Sequence, residues 1–170
     1  IPEPWGEAAV SLPAYCLVTE ELARGWMSLA GAMGGHTVVA KLILAYGTQE
    51  QQDRYLPRMA TGELRATMAL TEPGGGSDLQ AMRTVARREG EQYVVNGSKT
   101  WITNARTAGL IALMVKTDPE AEPRHRGISI VLVEKEAGDE SRLPGFTLSR
   151  DLPKLGYRGV ESCELAFDDM

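Results

Sequence analysis

The chain has 170 residues, 43% of them hydrophobic and 24% charged, the composition of a folded globular protein rather than a disordered or collagen-like one. Its 18 Lys and Arg against 23 Asp and Glu give a formal net charge of −5, so there is no general basic field to hold nucleic acid or an anionic bilayer. An anionic ligand has to be met by local groups. No apolar run is read as approaching the roughly 18–20 residues of a membrane span, and the opening residues lack a signal-peptide pattern. Cys16 and Cys163 stand far apart without CxxC spacing, which predicts free thiols rather than a disulfide framework or a zinc site. A soluble, cytoplasmic protein is expected. The start without Met and the end at Asp168-Asp169-Met170 suggest a piece of a longer protein.

From Ser11 to Ala60 the sequence is helical in character, and Tyr15, Val18 and Leu22 recur at i, i+3 and i+7, which predicts a core-facing stripe. A second helix is expected from about Trp26 to Tyr46. Its Gly31, Gly34 and Gly35 each cost roughly 1 kcal/mol against Ala, which points to close packing or a break. Gly47 reads as a C-cap, and Thr48-Gln49-Glu50-Gln51 has the form of a capping box opening a third helix to about Met59.

After Gly62 the pattern changes to short β-like runs bounded by Gly, Pro, Asn or Asp. These are Arg65–Thr71, Met82–Arg88, Gln92–Asn96, Thr100–Asn104, Leu110–Thr117, Ile128–Glu134, Phe146–Asp151 and Glu161–Phe167. Glu89-Gly90-Glu91 and Asn96-Gly97 are read as hairpin turns. Strands about ten residues apart without intervening helices predict an antiparallel barrel or sandwich. The expected fold class is therefore α+β, a helical N-terminal segment followed by an antiparallel β-barrel domain.

The densest chemical signal is Thr71-Glu72-Pro73-Gly74-Gly75-Gly76-Ser77-Asp78 at the end of a strand. Consecutive glycines let backbone N–H groups converge on an anion, and Ser77 adds a hydroxyl, which suits a phosphate or pyrophosphate. A plain wide loop is the alternative. The stretch is not a dinucleotide fingerprint, because Leu79 stands where GxGxxG requires glycine. Gly97-Ser98-Lys99-Thr100 is not a Walker A loop, because Ser98 precedes the lysine and Gln92 occupies the first glycine position. Residues 75–79 are not GxSxG, and His36 and His125 are the only histidines, His36 being expected to pack in its helix. No metal-ligand spacing appears. The second signal is Lys99-Thr100-Trp101-Ile102-Thr103-Asn104, in which Trp101 and Thr103 would share one strand face and offer a plane and a hydroxyl to a flat heterocycle. A core Trp beside a half-buried Thr is the alternative.

Together, Met68–Asp78 and Asn96–Asn104 resemble the signature of the acyl-CoA dehydrogenase family. So do Ile1-Pro2-Glu3-Pro4-Trp5-Gly6, Gly47–Gln52 with Tyr55-Leu56-Pro57, Gly127–Glu134, Lys154–Gly159 and Cys163–Phe167, in order along nearly the whole chain. The resemblance implies a partial helical domain at residues 1–63 and a flavin-binding β-barrel domain at 64–170, with FAD as cofactor. Met68, Leu70 and Thr71 would line the isoalloxazine ring, Thr71 on its pyrimidine side. Gly76 and Ser77 would hold the pyrophosphate and, for Ser77, the start of the CoA arm. Trp101, Ile102 and Thr103 would flank the ring, Thr103 near flavin N5. Arg124, in the basic run Arg124-His125-Arg126, reads either as a solvated loop residue or as a contact for CoA phosphates.

The implied reaction is α,β-dehydrogenation of an acyl-CoA thioester to the 2,3-enoyl-CoA. Electron-transferring flavoprotein is the implied acceptor, and a homotetramer or homodimer the implied assembly. The setting would be cytoplasmic, or the mitochondrial matrix in a eukaryote. The resemblance departs where the family carries a C-terminal helical bundle with the catalytic base, which is expected beyond Met170, and where many members have Ala instead of Gly75. The segment by itself is expected to be inactive. An acyl-CoA oxidase or another flavoprotein of the same fold, and a non-catalytic β-barrel module, remain as alternatives.

Overall fold

The computed structural model describes residues 1–6, 11–138 and 142–170, with the side chains of residues 149 and 150 outside the description. Two compact units result. The first contains Ile1–Ala66 and Lys154–Val160, and the second contains Thr67–Pro153 and Glu161–Met170. A linear reading of the chain does not contain the return of Lys154–Val160 to the helical unit.

The helical unit is built on α1 (Leu12–Tyr46) and α2 (Gln49–Ala60). Ser11 caps α1, its hydroxyl accepting from the Ala14 N–H at 3.4 Å. Trp26 is extended at φ −160° and ψ 105°, so α1 is two helices meeting at a kink, where the second predicted helix begins. The capping box of α2 forms as expected: the Gln51 N–H donates to Thr48 Oγ1 at 3.2 Å, and the Thr48 N–H to Gln51 Oε1 at 2.9 Å. Gly47 is the C-cap, but in an extended conformation rather than the left-handed one. What requires glycine there is space, since a Cβ would lie 2.6 Å from the Ile43 carbonyl oxygen.

Two expectations need correction here. The stripe of Tyr15, Val18 and Leu22 is not core: Val18 is 49% exposed, and the other two are half-buried. The buried residues of α1 are Ser28, Ala30, Val39, Ala40 and Ile43. Hydrogen-bonding groups from elsewhere in the unit meet this later half. Gln52 donates to the Ile43 and Leu44 carbonyls, and the Gly159 N–H donates to Ser28 Oγ at 3.1 Å. Second, α1 contains a stretch long and apolar enough to cross a membrane by length and composition, contrary to the sequence reading. Ser28, His36, Thr37 and the glycines break the run to the eye but subtract little from its mean hydropathy.

The second unit is a sheet of β1 (Ala66–Ala69), β2 (Val85–Glu89), β3 (Gln92–Thr103), β4 (Leu110–Lys116), β5 (Ile128–Glu134), β6 (Phe146–Asp151) and β7 (Ser162–Phe167). The strand order is β1-β4-β2-β3-β7-β6, with β5 added on β4. The sheet is mixed, not purely antiparallel, because β2 and β4 pair in parallel at Val85 and Lys116. It is a half-barrel whose path ends at β1 and β6. After β3 the chain crosses to the far edge of β2 before forming β4, a skip that strand spacing alone cannot reveal.

The Gly90 turn forms as predicted, with Glu89 opposite Gln92 and Gly90 at φ 67°. Asn96-Gly97 is not a hairpin. It lies within the twelve-residue β3, where Gly97 has φ 144° and a Cβ would stand 2.6 Å from Thr84 Oγ1. Glycine is needed there for close approach, not reversal. A register shift between Lys99 and Ile102 marks a bulge, with Trp101 at φ 60°. Val95, Ile102, Ile111, Leu113, Val115 and Leu165 anchor the core, with Phe146 and Phe167 rings 5.8 Å apart and tilted by 48°.

Candidate functional site

The two segments singled out by sequence lie side by side. Thr67 Oγ1 donates to the Thr103 carbonyl at 2.6 Å, and the Thr100 N–H donates to the Thr71 carbonyl at 2.9 Å. Residues 67–71 therefore run antiparallel to 100–103. Thr71 and Thr103 are offset by three residues along this pairing, roughly 10 Å at strand rise.

Thr71 leads into a tight turn in which the Glu72 and Gly75 N–H groups each donate to the other's carbonyl at 3.0 Å. Gly74 and Gly75 face open space, whereas a Cβ on Gly76 would lie 3.1 Å from Thr71 Cγ2. Gly76 thus passes directly beside Thr71, and Ser77 is exposed next to it. Asp78 caps the single turn Leu79–Ala81 by accepting from the Gln80 N–H at 3.2 Å. Met68, Leu70, Thr71 and Thr103 are half-buried, and Trp101 is 53% exposed. Ile102 is buried in the sheet core, so only its backbone is available to a ligand. Arg124 is exposed in the turn Arg124–Gly127 that opens β5, on a different strand from either segment.

Beneath the turn lies a buried ion pair that sequence reasoning missed. Lys99 Nζ donates to Glu72 Oε1 at 2.9 Å and to the Leu70 carbonyl at 3.0 Å, with side-chain exposures of 0% for Lys99 and 7% for Glu72. Glu72 also accepts the Arg83 N–H at 2.6 Å and the Thr84 N–H at 2.9 Å. Burial pushes the Glu72 carboxyl up, but the hydrogen bonds from Thr84, Arg83 and Lys99 outweigh it and hold the group below the usual carboxylate range. Lysine is seldom fully buried, so its type argued against the core. Its burial accompanies a bulge, next to which the consecutive residues Lys99 and Thr100 are both buried, a feature of strand pairing that no sequence signal announces.

Other candidate groups lie elsewhere. Cys163 is buried, and burial together with its 3.3 Å hydrogen bond to Asp151 pushes the thiol up to about 12. It is no nucleophile at neutral pH. His36 does not simply pack in its helix: Nε2 donates to the Met59 carbonyl at 3.1 Å, while Nδ1 accepts the Ala66 N–H at 3.2 Å. A cavity of about 920 Å³ in the helical unit, lined by Trp5, Tyr15, His36 and Lys41 among others, shares no residue with the glycine loop or β3. Among the described residues no group of three His, Cys, Asp or Glu side chains could hold a metal ion.

Residues 1–63 match the acyl-CoA dehydrogenase N-terminal domain, and residues 67–170 match the acyl-CoA dehydrogenase middle domain. The chain belongs to the acyl-CoA dehydrogenase family. It is 40% identical to (2S)-methylsuccinyl-CoA dehydrogenase of Cereibacter sphaeroides over 172 aligned residues, covering 99% of this chain and 31% of that protein. The crystal structure of an acyl-CoA dehydrogenase from Geobacillus kaustophilus superposes with a TM-score of 0.90 at 42% identity, covering 99% of this chain and 43% of that one. A glutaryl-CoA dehydrogenase from Mycobacterium smegmatis in complex with FADH2 superposes with a TM-score of 0.86 at 32% identity, over 99% of this chain and 40% of that one. The acyl-CoA dehydrogenase segment seen here thus spans between about a third and two-fifths of the length of these relatives.

Proposed function

We propose that this chain forms the flavin-binding wall of an FAD-dependent acyl-CoA dehydrogenase. The observation that carries the reading is the pair of hydrogen bonds from Thr67 Oγ1 to the Thr103 carbonyl and from the Thr100 N–H to the Thr71 carbonyl, which bring the segment entering the glycine loop beside the segment that carries Trp101. The donor set suits FAD: Gly74 and Gly75 leave the loop backbone unobstructed, Ser77 is an exposed hydroxyl, and Trp101 offers a flat accessible surface. The FADH2 complex of the M. smegmatis relative supports the same cofactor here.

In this reading the loop backbone at Gly76, with Ser77, takes the pyrophosphate. Thr71 hydrogen-bonds the pyrimidine edge of the ring, Met68 and Leu70 line it, and Trp101 and Thr103 cover it from β3, with Ile102 contributing backbone. Ser77 also meets the start of the CoA arm, and Arg124 the CoA phosphates. Bound FAD supplies the hydride acceptor for oxidation of the acyl Cα–Cβ bond.

The chain's own buried carboxylate cannot act as the general base. Both Glu72 oxygens are engaged, Oε1 by Lys99 and the Thr84 N–H and Oε2 by the Arg83 N–H. In this reading the base comes from the portion of the protein corresponding to the relatives' remaining length. Electron-transferring flavoprotein as acceptor and a homo-oligomeric assembly belong to the same reading.

The test is to purify the full-length protein, record its visible spectrum and add acyl-CoA thioesters without oxygen. A flavin band that bleaches with an acyl-CoA supports the reading. A colourless protein that takes up no FAD refutes the flavin wall, and a stable band with every acyl-CoA tried refutes the dehydrogenase.

A further inference from the structure

The pair beneath the glycine loop is connected to the proposed flavin site through one peptide plane. Lys99 Nζ holds the Leu70 carbonyl at 3.0 Å. In a trans peptide the C=O and the following N–H point in opposite directions, so the Thr71 N–H is turned away from the buried ammonium. That N–H has no hydrogen-bond partner among the described residues. The next plane is fixed too, its Thr71 carbonyl accepting from the Thr100 N–H at 2.9 Å and its Glu72 N–H donating to the Gly75 carbonyl at 3.0 Å. Glu72 completes the clamp. Its carboxylate ties the start of the turn to Arg83 and Thr84, beyond the loop, and to Lys99 on β3. The carbonyls of Leu70, Thr71 and Glu72, the Glu72 N–H and both Glu72 carboxylate oxygens are thus engaged, while the Thr71 N–H is left open among the described residues.

We propose that Lys99 and Glu72 are positioning residues for the flavin: Lys99 aims the Thr71 N–H at a ring acceptor, and Glu72 sets the turn that delivers Gly76 and Ser77. The inference rests on the flavin reading above. Neither side chain touches the cofactor. A buried ion pair brings little net stability compared with apolar replacements, so a role in geometry accounts for charges whose desolvation is otherwise hard to offset.

The test uses the full-length protein and two variants. The double variant Glu72→Gln with Lys99→Met removes both charges together and leaves no stranded buried ion. Glu72→Asp keeps the charge and withdraws the carboxylate by one methylene. FAD affinity, the visible spectrum of bound flavin, far-UV circular dichroism and thermal unfolding are measured on each.

Both variants are expected to keep wild-type ellipticity, to bind FAD about tenfold more weakly, and to shift the bound flavin band toward that of free FAD. The shape of the flavin band is the readout that a purely structural pair would not move. Folded variants with wild-type affinity and spectrum overturn the proposal and leave the flavin reading intact. Variants that both fail to fold assign the pair to the fold alone, which also overturns it. Wild-type protein that binds no FAD refutes the flavin reading itself, a failure visible before any variant is made.

Discussion

Tyr157 closes over Gly31 of α1: a Cβ built on Gly31 would lie 1.4 Å from the Tyr157 hydroxyl oxygen and 2.7 Å from its ring carbon Cε2. Tyr157 holds φ 60°, and the Lys154 ammonium stands 5.0 Å from its ring centroid. The glycine is thus a seat for the Lys154–Val160 segment, paired with Ser28, whose hydroxyl receives the Gly159 N–H. Replacing Gly31 by Ala must displace the ring, an overpacking cost of about 1–3 kcal/mol that exceeds the ~1 kcal/mol gain in helix propensity. A Cβ on Gly34 would meet nothing within 4 Å, so alanine carries no such cost there. Urea unfolding should therefore show Gly31→Ala destabilised and Gly34→Ala stabilised by up to ~1 kcal/mol.

Removing one member of the Lys99–Glu72 pair should be far more damaging than removing both. Lys99→Met leaves a carboxylate of 7% exposure unpaired, which typically costs about 3–5 kcal/mol. Combining it with Glu72→Gln should recover more than half of that loss. Equal losses for the single and double variants would contradict the pairing.

His36 makes stability depend on pH. Burial is the main influence and lowers its pKa, the Met59 carbonyl opposes this, and the charge of Arg65 adds to the lowering. The folded pKa lies below the unfolded one, so the unfolded chain takes up the proton first as pH falls. This contribution is complete above about pH 6.5 and diminishes as pH falls below it. The imidazolium could no longer accept the Ala66 N–H. Denaturant midpoints should fall between pH 7.5 and about 5.5 in the wild type, and by less in His36→Gln. The same decline in both proteins would assign it to other groups.

Trp101→Ala should separate cofactor binding from folding. The side chain is 53% exposed, so its loss should move the thermal midpoint little. In the full-length protein it should weaken FAD retention by a stacking term of ~0.5–1.5 kcal/mol. Unchanged flavin occupancy after dialysis would remove Trp101 from the site.

The legible parts of this molecule were those governed by local chemistry. Thr48 and Gln51 announce their capping box and Gly90 its hairpin, because each depends on neighbours within a few residues. What stayed hidden depends on distant partners. Gly97 resembles a turn residue until Thr84 is seen against it, and Gly31 a packing glycine without a partner until Tyr157 arrives from 126 positions on. The parallel pairing of Val85 with Lys116 and the burial of Lys99 likewise follow from topology rather than from composition. Of the proposed site, the two segments Thr71–Asp78 and Lys99–Asn104 stand out in the sequence by their glycines and their Trp/Thr spacing, whereas the Lys99–Glu72 pair that joins them does not.

The most direct measurement is a crystal structure of the full-length protein with FAD. We expect the isoalloxazine ring against Trp101 with its edges at Thr71 and Thr103, and the pyrophosphate at Gly76 and Ser77. Flavin bound instead in the cavity of the helical unit, beside Tyr15, His36 and Lys41, would contradict the account.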